Sequence, residues 1–157
     1  MTPLKPIRIY KASAGSGKTF TLAVEYTTLL TVNPMAYQNI LAVTFTNKAT
    51  AEMKQRILGT LYGISHGLKK SEAYVEKILE NIKAMKALPQ WQEEPYKTDL
   101  EHFNRTKIRQ RTQKALENIV HDYSRFHIET IDSFFQGIVR DLANELDLST
   151  NMKVELD

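Results

Sequence analysis

The run Ala12-Ser13-Ala14-Gly15-Ser16-Gly17-Lys18-Thr19 collects the residue types that hold a polyphosphate. Gly15 and Gly17 let the backbone curl so that successive N–H groups point inward at phosphate oxygens, a conformation that a Cβ would obstruct. Lys18 sets a point charge near the β- and γ-phosphates, and the Thr19 hydroxyl can complete the shell of a magnesium ion. Phe20 then enters a helical pattern whose positive dipole end adds to the same anion site. The residues from Ala12 to Phe20 are therefore the candidates for binding a nucleoside triphosphate. Lys18 and Thr19 are the chemical pair, and Thr19 is the magnesium ligand. A flexible glycine turn beside a solvated lysine is the plainer reading.

The elements around this run decide between the two. Ile7-Arg8-Ile9-Tyr10 reads as a short strand, and Phe20, Leu22, Ala23, Tyr26, Leu29 and Leu30 recur at helical spacing. Strand, glycine-rich turn and helix are the setting of a P-loop, with Ala12 standing where that pattern has its first glycine. Asn39 to Phe45 is a short apolar run that predicts a buried parallel strand. Asn47 is placed to cap a helix from Lys48 to about Leu61, with Ala49, Met53, Ile57 and Leu61 on one face. Gly59, Gly63 and Gly67 then end that helix before Lys69-Lys70. Ser71 is a cap candidate for a helix carrying Tyr74, Val75, Ile78, Leu79, Ile82 and Met85, which Pro89 stops. A loop holding Trp91 and Pro95 leads to a charged helix from about Asp99 to Val120. The strand pattern resumes at Phe126 to Glu129, and Ile131-Asp132-Ser133 opens a helix to about Leu146, capped by Asp132 or Ser133. Met152 to Asp157 alternates like the start of another strand.

These elements predict an α/β fold: a partial parallel sheet with flanking helices and a helical insertion. Residues 1–68 form its first part, 69–123 the insertion as an appended lobe, and 124–157 the continuation. A chain of 157 residues can bury one real core, and 42% hydrophobic with 25% charged residues is ordinary for a soluble globular protein. No apolar run reaches membrane-spanning length, and the N-terminus lacks the apolar core of a secretory signal. The absence of cysteine excludes a disulfide framework and a thiol nucleophile, which fits a cytoplasmic location. The four histidines are scattered without ligand spacing, so no protein metal centre is expected. A net charge of +3 is compatible with nucleic acid.

Two more segments carry chemistry. They are Leu41-Ala42-Val43-Thr44-Phe45-Thr46-Asn47-Lys48-Ala49-Thr50-Ala51-Glu52-Met53 and Ile128-Glu129-Thr130-Ile131-Asp132-Ser133-Phe134-Phe135-Gln136. With Ala12 to Thr19, in this order, they resemble motifs I, Ia and the T-x-H-S-F element of UvrD/Rep-type superfamily 1 DNA helicases. The Ala-Ser-Ala-Gly-Ser-Gly-Lys-Thr form near the N-terminus is most similar to the RecB/AddA branch of helicase-nucleases. The resemblance implies a RecA-like P-loop fold, ATP and magnesium as cofactors, and single-stranded DNA as partner. It makes Phe45, Thr46 and Asn47 DNA-contact candidates, with Lys48 near the backbone, and Thr130, Ser133 and Phe134 DNA-facing. Phe45 can equally be a buried core ring, and Asn47 can cap its helix as well as touch DNA. Asp132 stands where the family has histidine; a carboxylate repels phosphate, so it belongs to a cap or an internal hydrogen bond. One of Phe134 and Phe135 should pack in the core, because helix neighbours cannot share a face.

The resemblance also exposes gaps. No glutamine precedes Ala12 to read an adenine edge, and no apolar run ends in Asp-Glu, so the carboxylates that orient water and hold the metal are missing. The arginine motifs and a nuclease centre are missing too. The expected whole is the ATP-binding N-terminal portion of a DNA helicase or helicase-nuclease of repair and recombination, inactive on its own. Its expected partners are the other domains of its parent and a helicase-nuclease partner subunit, with no membrane. A P-loop small-molecule kinase and a non-catalytic nucleotide- or DNA-binding module are the alternatives. In the insertion, most cations alternate with acids, which reads as solvated helix faces. The run holding Arg105, Lys107, Arg109, Arg111 and Lys114 contains no acid and is the exception.

Overall fold

Two short apolar segments far apart in the chain meet as neighbouring strands. Ala42–Thr44 (β1) and Ile128–Thr130 (β2) pair in parallel, with Ala42 opposite Ile128, Val43 opposite Glu129 and Thr44 opposite Thr130. The pleat sends alternate side chains to opposite faces. Ile128 is buried on the helix side, while Val43 stays exposed. The computed structural model describes residues 17–88 and 101–145. The strand expected at Ile7–Tyr10, residues Ala12 to Ser16 of the glycine-rich run, the Trp91 loop and the Met152–Asp157 tail lie outside them.

Five helices complete the described architecture: Lys18–Val32 (α1), Asn47–Ser65 (α2), Glu72–Lys86 (α3), Arg105–His121 (α4) and Ile131–Glu145 (α5). The result is a helix-rich α/β arrangement around a small parallel sheet. One core cluster joins Ala23, Tyr26 and Leu30 of α1 to Met53, Ile57 and Leu61 of α2. Ala115 and Ile119 of α4 and Ile128 of β2 belong to the same cluster. A second cluster gathers Val32, Ile64 and Ile108 around Val75, Ile78, Ile82 and Met85 of α3. α1, α2 and α4 feed both clusters. The second half of α4 lies in the core that backs the strands.

α1 is buried on more than one side, and two of its buried threonines satisfy their hydroxyls within the helix, whereas the buried Thr27 hydroxyl has no partner among the described residues. The Thr28 and Thr31 hydroxyls donate to the carbonyls of Val24 and Thr27, each at 2.7 Å. Satisfying buried hydroxyls within their own helix avoids the penalty of an unmade hydrogen bond.

Several boundaries differ from expectation for local reasons. α4 starts at Arg105, not near Asp99, because the Asn104 side chain caps it by accepting from the Lys107 N–H at 2.9 Å. β2 begins at Ile128. Phe126 is instead turned into the core, edge-on to Tyr26 with centroids 5.9 Å apart. The acid-free run of cations is not left to itself: the Arg105 guanidinium pairs with Glu72 and Glu76 of α3. Those two glutamates raise the Arg105 pKa above its ordinary value. They lie far upstream, so no local reading of the run could find them.

α2 ends as a Schellman motif. The Gly67 N–H donates to the Ile64 carbonyl at 3.0 Å and the Leu68 N–H to the Gly63 carbonyl at 2.8 Å, with Gly67 left-handed at φ 63°. Ser71 precedes α3 but makes no capping bond; its side chain is buried against Gly63 instead. Among the described residues, no helix is long and apolar enough to cross a membrane.

A Cβ on Gly63 would overlap the Ser71 Oγ and lie 3.3 Å from its Cβ. Gly63→Ala should therefore lower stability by about 1–3 kcal/mol in urea denaturation, the usual cost of overpacking. Adding Ser71→Gly should restore much of the loss, whereas a plain loss of helix flexibility would not respond to that second change.

Candidate functional site

α1 starts in an unusual way. Its N-cap is Gly17 at φ 82°, a left-handed conformation, and a Cβ there would meet nothing within 4 Å. Glycine brings no side chain to cap the first turn, and that turn holds no acid. The other helices are served differently. Threonines cap α2 and α5, Asn104 caps α4, and α3 carries Glu72 in its first turn. The start of α1 thus differs from the other described helix starts in having neither a capping side chain nor a first-turn acid. Lys18 is exposed there, with Thr19 half-buried beside it. This donor set fits a phosphate with its magnesium. Phe20 has a structural partner: its ring packs on Tyr74 of α3 at 4.5 Å between centroids. Ala12, Ser13, Ala14, Gly15 and Ser16 lie outside the described residues.

The second constellation forms where the strands end. Phe45 follows β1 directly and is 87% exposed, which removes the core-ring reading. Its backbone is held at a braced corner. The Thr44 hydroxyl meets the Thr50 hydroxyl at 2.6 Å and donates to the Thr46 carbonyl at 3.1 Å. Thr46, extended at φ −133° and ψ 150°, accepts from the Ala49 N–H at 3.1 Å. Thr46 is therefore the helix cap, and the expectation for Asn47 is corrected. Asn47 is the first helical residue, exposed together with Lys48. The cap lies one residue earlier because the strand stops at Thr44 and leaves Thr46 extended.

β2 repeats the device. Thr130 accepts from the Ser133 N–H at 3.1 Å, and the two hydroxyls are 2.8 Å apart. The cap expected at Asp132 or Ser133 is thus supplied by Thr130. Thr130 is only 8% exposed, so its hydroxyl is committed to the helix rather than turned to a ligand. Asp132 is exposed in the first turn, where a carboxylate suits the dipole. Ser133 is exposed and Phe134 half-buried, while Phe135 is largely exposed. Neither ring of that pair reaches the core; they rest edge to face, 5.7 Å apart.

The pairing of Thr44 with Thr130 brings these segments to one edge. Phe45, Thr46, Asn47 and Lys48 stand at the end of one strand, with Ser133 and Phe134 at the start of the helix that leaves the other. Strand ends and helix starts in α/β sheets are where ligands bind. The twin threonine caps were the part that sequence reasoning missed. Their signal was present, since each is the last threonine before its helical pattern, three residues ahead of the N–H that it receives. Burial pushes the Tyr26 phenol well above its ordinary range, so it is packing rather than an acid or base. Among the described residues, no group of three His, Cys, Asp or Glu could hold a metal ion.

The UvrD/REP helicase N-terminal domain family matches residues 2–156, nearly the whole chain. The chain belongs to this family. The resemblance carried by the three motif segments is thereby confirmed. RecBCD enzyme subunit RecB of Escherichia coli is 34% identical over 100 residues, covering 57% of this chain and 8% of that protein. RecBCD enzyme subunit RecB of Borreliella burgdorferi is 30% identical over 126 residues, 74% of this chain and 10% of that protein. DNA helicase II of Salmonella typhimurium is 54% identical over 56 residues, 36% of this chain and 8% of that protein. The matched stretch is thus about a tenth of the length of these curated relatives. No solved structure matches at comparable significance.

Within this UvrD/Rep-type domain, the two caps should carry measurable stability. Thr46→Ala and Thr130→Val are each expected to cost about 0.5–2 kcal/mol in denaturant unfolding. Thr130→Ser, which keeps the hydroxyl, should recover most of its share.

Proposed function

We propose that the chain is the ATP-binding N-terminal portion of an ATP-dependent DNA helicase, of the RecB-like helicase-nuclease kind that serves DNA repair and recombination. The observation that carries this reading is the shared edge: parallel register places an exposed Phe45 and Lys48 beside the start of α5. An exposed ring offers a face to a base, and helix N-termini with a lysine offer charge to phosphates. Single-stranded DNA is the ligand that needs both together. The family membership and the RecB and DNA helicase II relatives support the same reading.

Gly17, Lys18 and Thr19, with the run from Ala12 to Ser16 before them, would hold ATP and its magnesium. There Lys18 neutralises phosphate charge and the Thr19 hydroxyl completes the metal's shell. ATP supplies the free energy of translocation in the parent enzyme. The sequence offers no apolar-Asp-Glu motif to orient water, so the piece should bind nucleotide without turning it over. The other domains of the parent and a helicase-nuclease subunit are the proposed protein partners, and the cytoplasm the proposed location.

Fluorescence anisotropy with a labelled oligo-dT tests the DNA edge. Phe45→Ala should weaken binding roughly tenfold or more, as loss of one stacking ring implies. Phe45→Tyr should keep it. Titration with MgATP should show binding that Lys18→Ala removes. DNA-stimulated ATP hydrolysis by the chain itself, abolished by Lys18→Ala, would refute the inactivity of this portion.

A further inference from the structure

The helix that begins with Lys18 is tied to α3 at two points. The first tie is between rings. Phe20 packs on Tyr74 with centroids 4.5 Å apart and planes tilted by 47°. The second is polar. The Asn81 side-chain amide donates to the Glu25 carboxylate at 3.1 Å and to the Thr28 hydroxyl at 3.3 Å. The Thr28 proton goes to the Val24 carbonyl, which leaves its oxygen able to accept. Residue numbers rise together across both ties, so α1 and α3 run side by side in the same direction. Tyr74 and Asn81 stand two turns apart on α3, about 10 Å by the rise of a helix. A slide or a roll of α1 against α3 would break at least one tie.

Tyr74 is itself firmly placed. It is half-buried and packs against both core clusters. Glu72 and Glu76, on either side of it in sequence, take the Arg105 guanidinium of α4. By helical periodicity those two carboxylates face away from Tyr74. The start of α3 is thus held by α4 on one side and offers a ring to α1 on the other. On α1, half-buried Phe20 follows Lys18 and Thr19 directly. The three share the backbone of one helical turn, so where the Phe20 ring is seated sets where Lys18 and Thr19 can reach.

We propose that Tyr74 is a positioning residue for the nucleotide site: through Phe20 it fixes the first turn of α1 and so couples MgATP binding to the packing of α3. The inference rests on the reading of Lys18 and Thr19 as the phosphate and magnesium residues. Two flat rings in contact resist turning of the helix start in a way that an aliphatic side chain does not. The coupling runs both ways, since a nucleotide that steadies the first turn of α1 must also steady α3.

Calorimetric titration of the whole chain with MgATP tests this. Tyr74→Leu should weaken binding roughly threefold to tenfold, while Tyr74→Phe, which keeps the ring, should stay within about twofold. Phe20→Leu should match Tyr74→Leu, and the double variant should lose no more than either single one, because both act through one contact. Ile119→Val loosens the core near the C-terminal end of α4 instead and should leave the affinity unchanged. MgATP should also slow amide hydrogen exchange from Tyr74 to Ile78 in the wild type and not in Tyr74→Leu, a response that a merely structural tyrosine would not give. Circular dichroism checks the folds, and Phe20→Leu carries both measurements if Tyr74→Leu unfolds. Wild-type affinity in Tyr74→Leu, additive losses in the double variant, or protection of α3 that survives Tyr74→Leu would each overturn the proposal, and with Lys18→Ala still abolishing binding the nucleotide reading would stand. A wild type that does not bind MgATP, or a Lys18→Ala variant that binds it equally well, would bring down that reading and the proposal with it.

Discussion

The register between β1 and β2 is the constraint on which the described structure depends. Three residues of each strand fix it, and a slip of one position would turn Ile128 away from the helices and bring Glu129 toward them. The same pairing sets where α2 and α5 begin, since each starts within three residues of its strand's end. Order in the sheet therefore becomes order at the edge. No exposed residue at that edge has to specify its own position.

A second layer of control lies in how helix starts are satisfied. Threonine hydroxyls close the first turns of α2 and α5 from within, so those turns need no ligand in order to be stable. α1 is built the other way, with a left-handed glycine and no capping side chain. The contrast is between helix starts closed by a threonine and one whose N-cap is a glycine. It arises from single residue choices at equivalent places.

Much of this was legible in the chain because local pattern and tertiary role agree. The stripe of α3 was readable from Val75, Ile78, Ile82 and Met85, and all four are buried. β1 and β2 were readable as short apolar runs, within three residues of their ends. What was not legible depends on distant partners. Arg105 finds Glu72 and Glu76 only because the start of α4 reaches the first half of α3, and Ala115 joins the main core only because α4 packs along α2. At the candidate site, residue types pointed to Phe45 but could not say whether its ring was inside or out. Exposure answers that, and the reason is the braced corner, which a propensity scale does not see. The cap positions slipped, by one residue at α2 and by two or three at α5, for a similar reason: Asn, Asp, Ser and Thr all cap well, and only the strand's end selects among them.

The hydroxyl pair between Thr44 and Thr50 has a mechanical consequence. It ties the last residue of a strand to the first turn of a helix, across the bend that carries Phe45. Such a corner is a stiff bracket rather than a hinge. The exposed ring of Phe45 is thereby carried on a bend whose two sides are tied together.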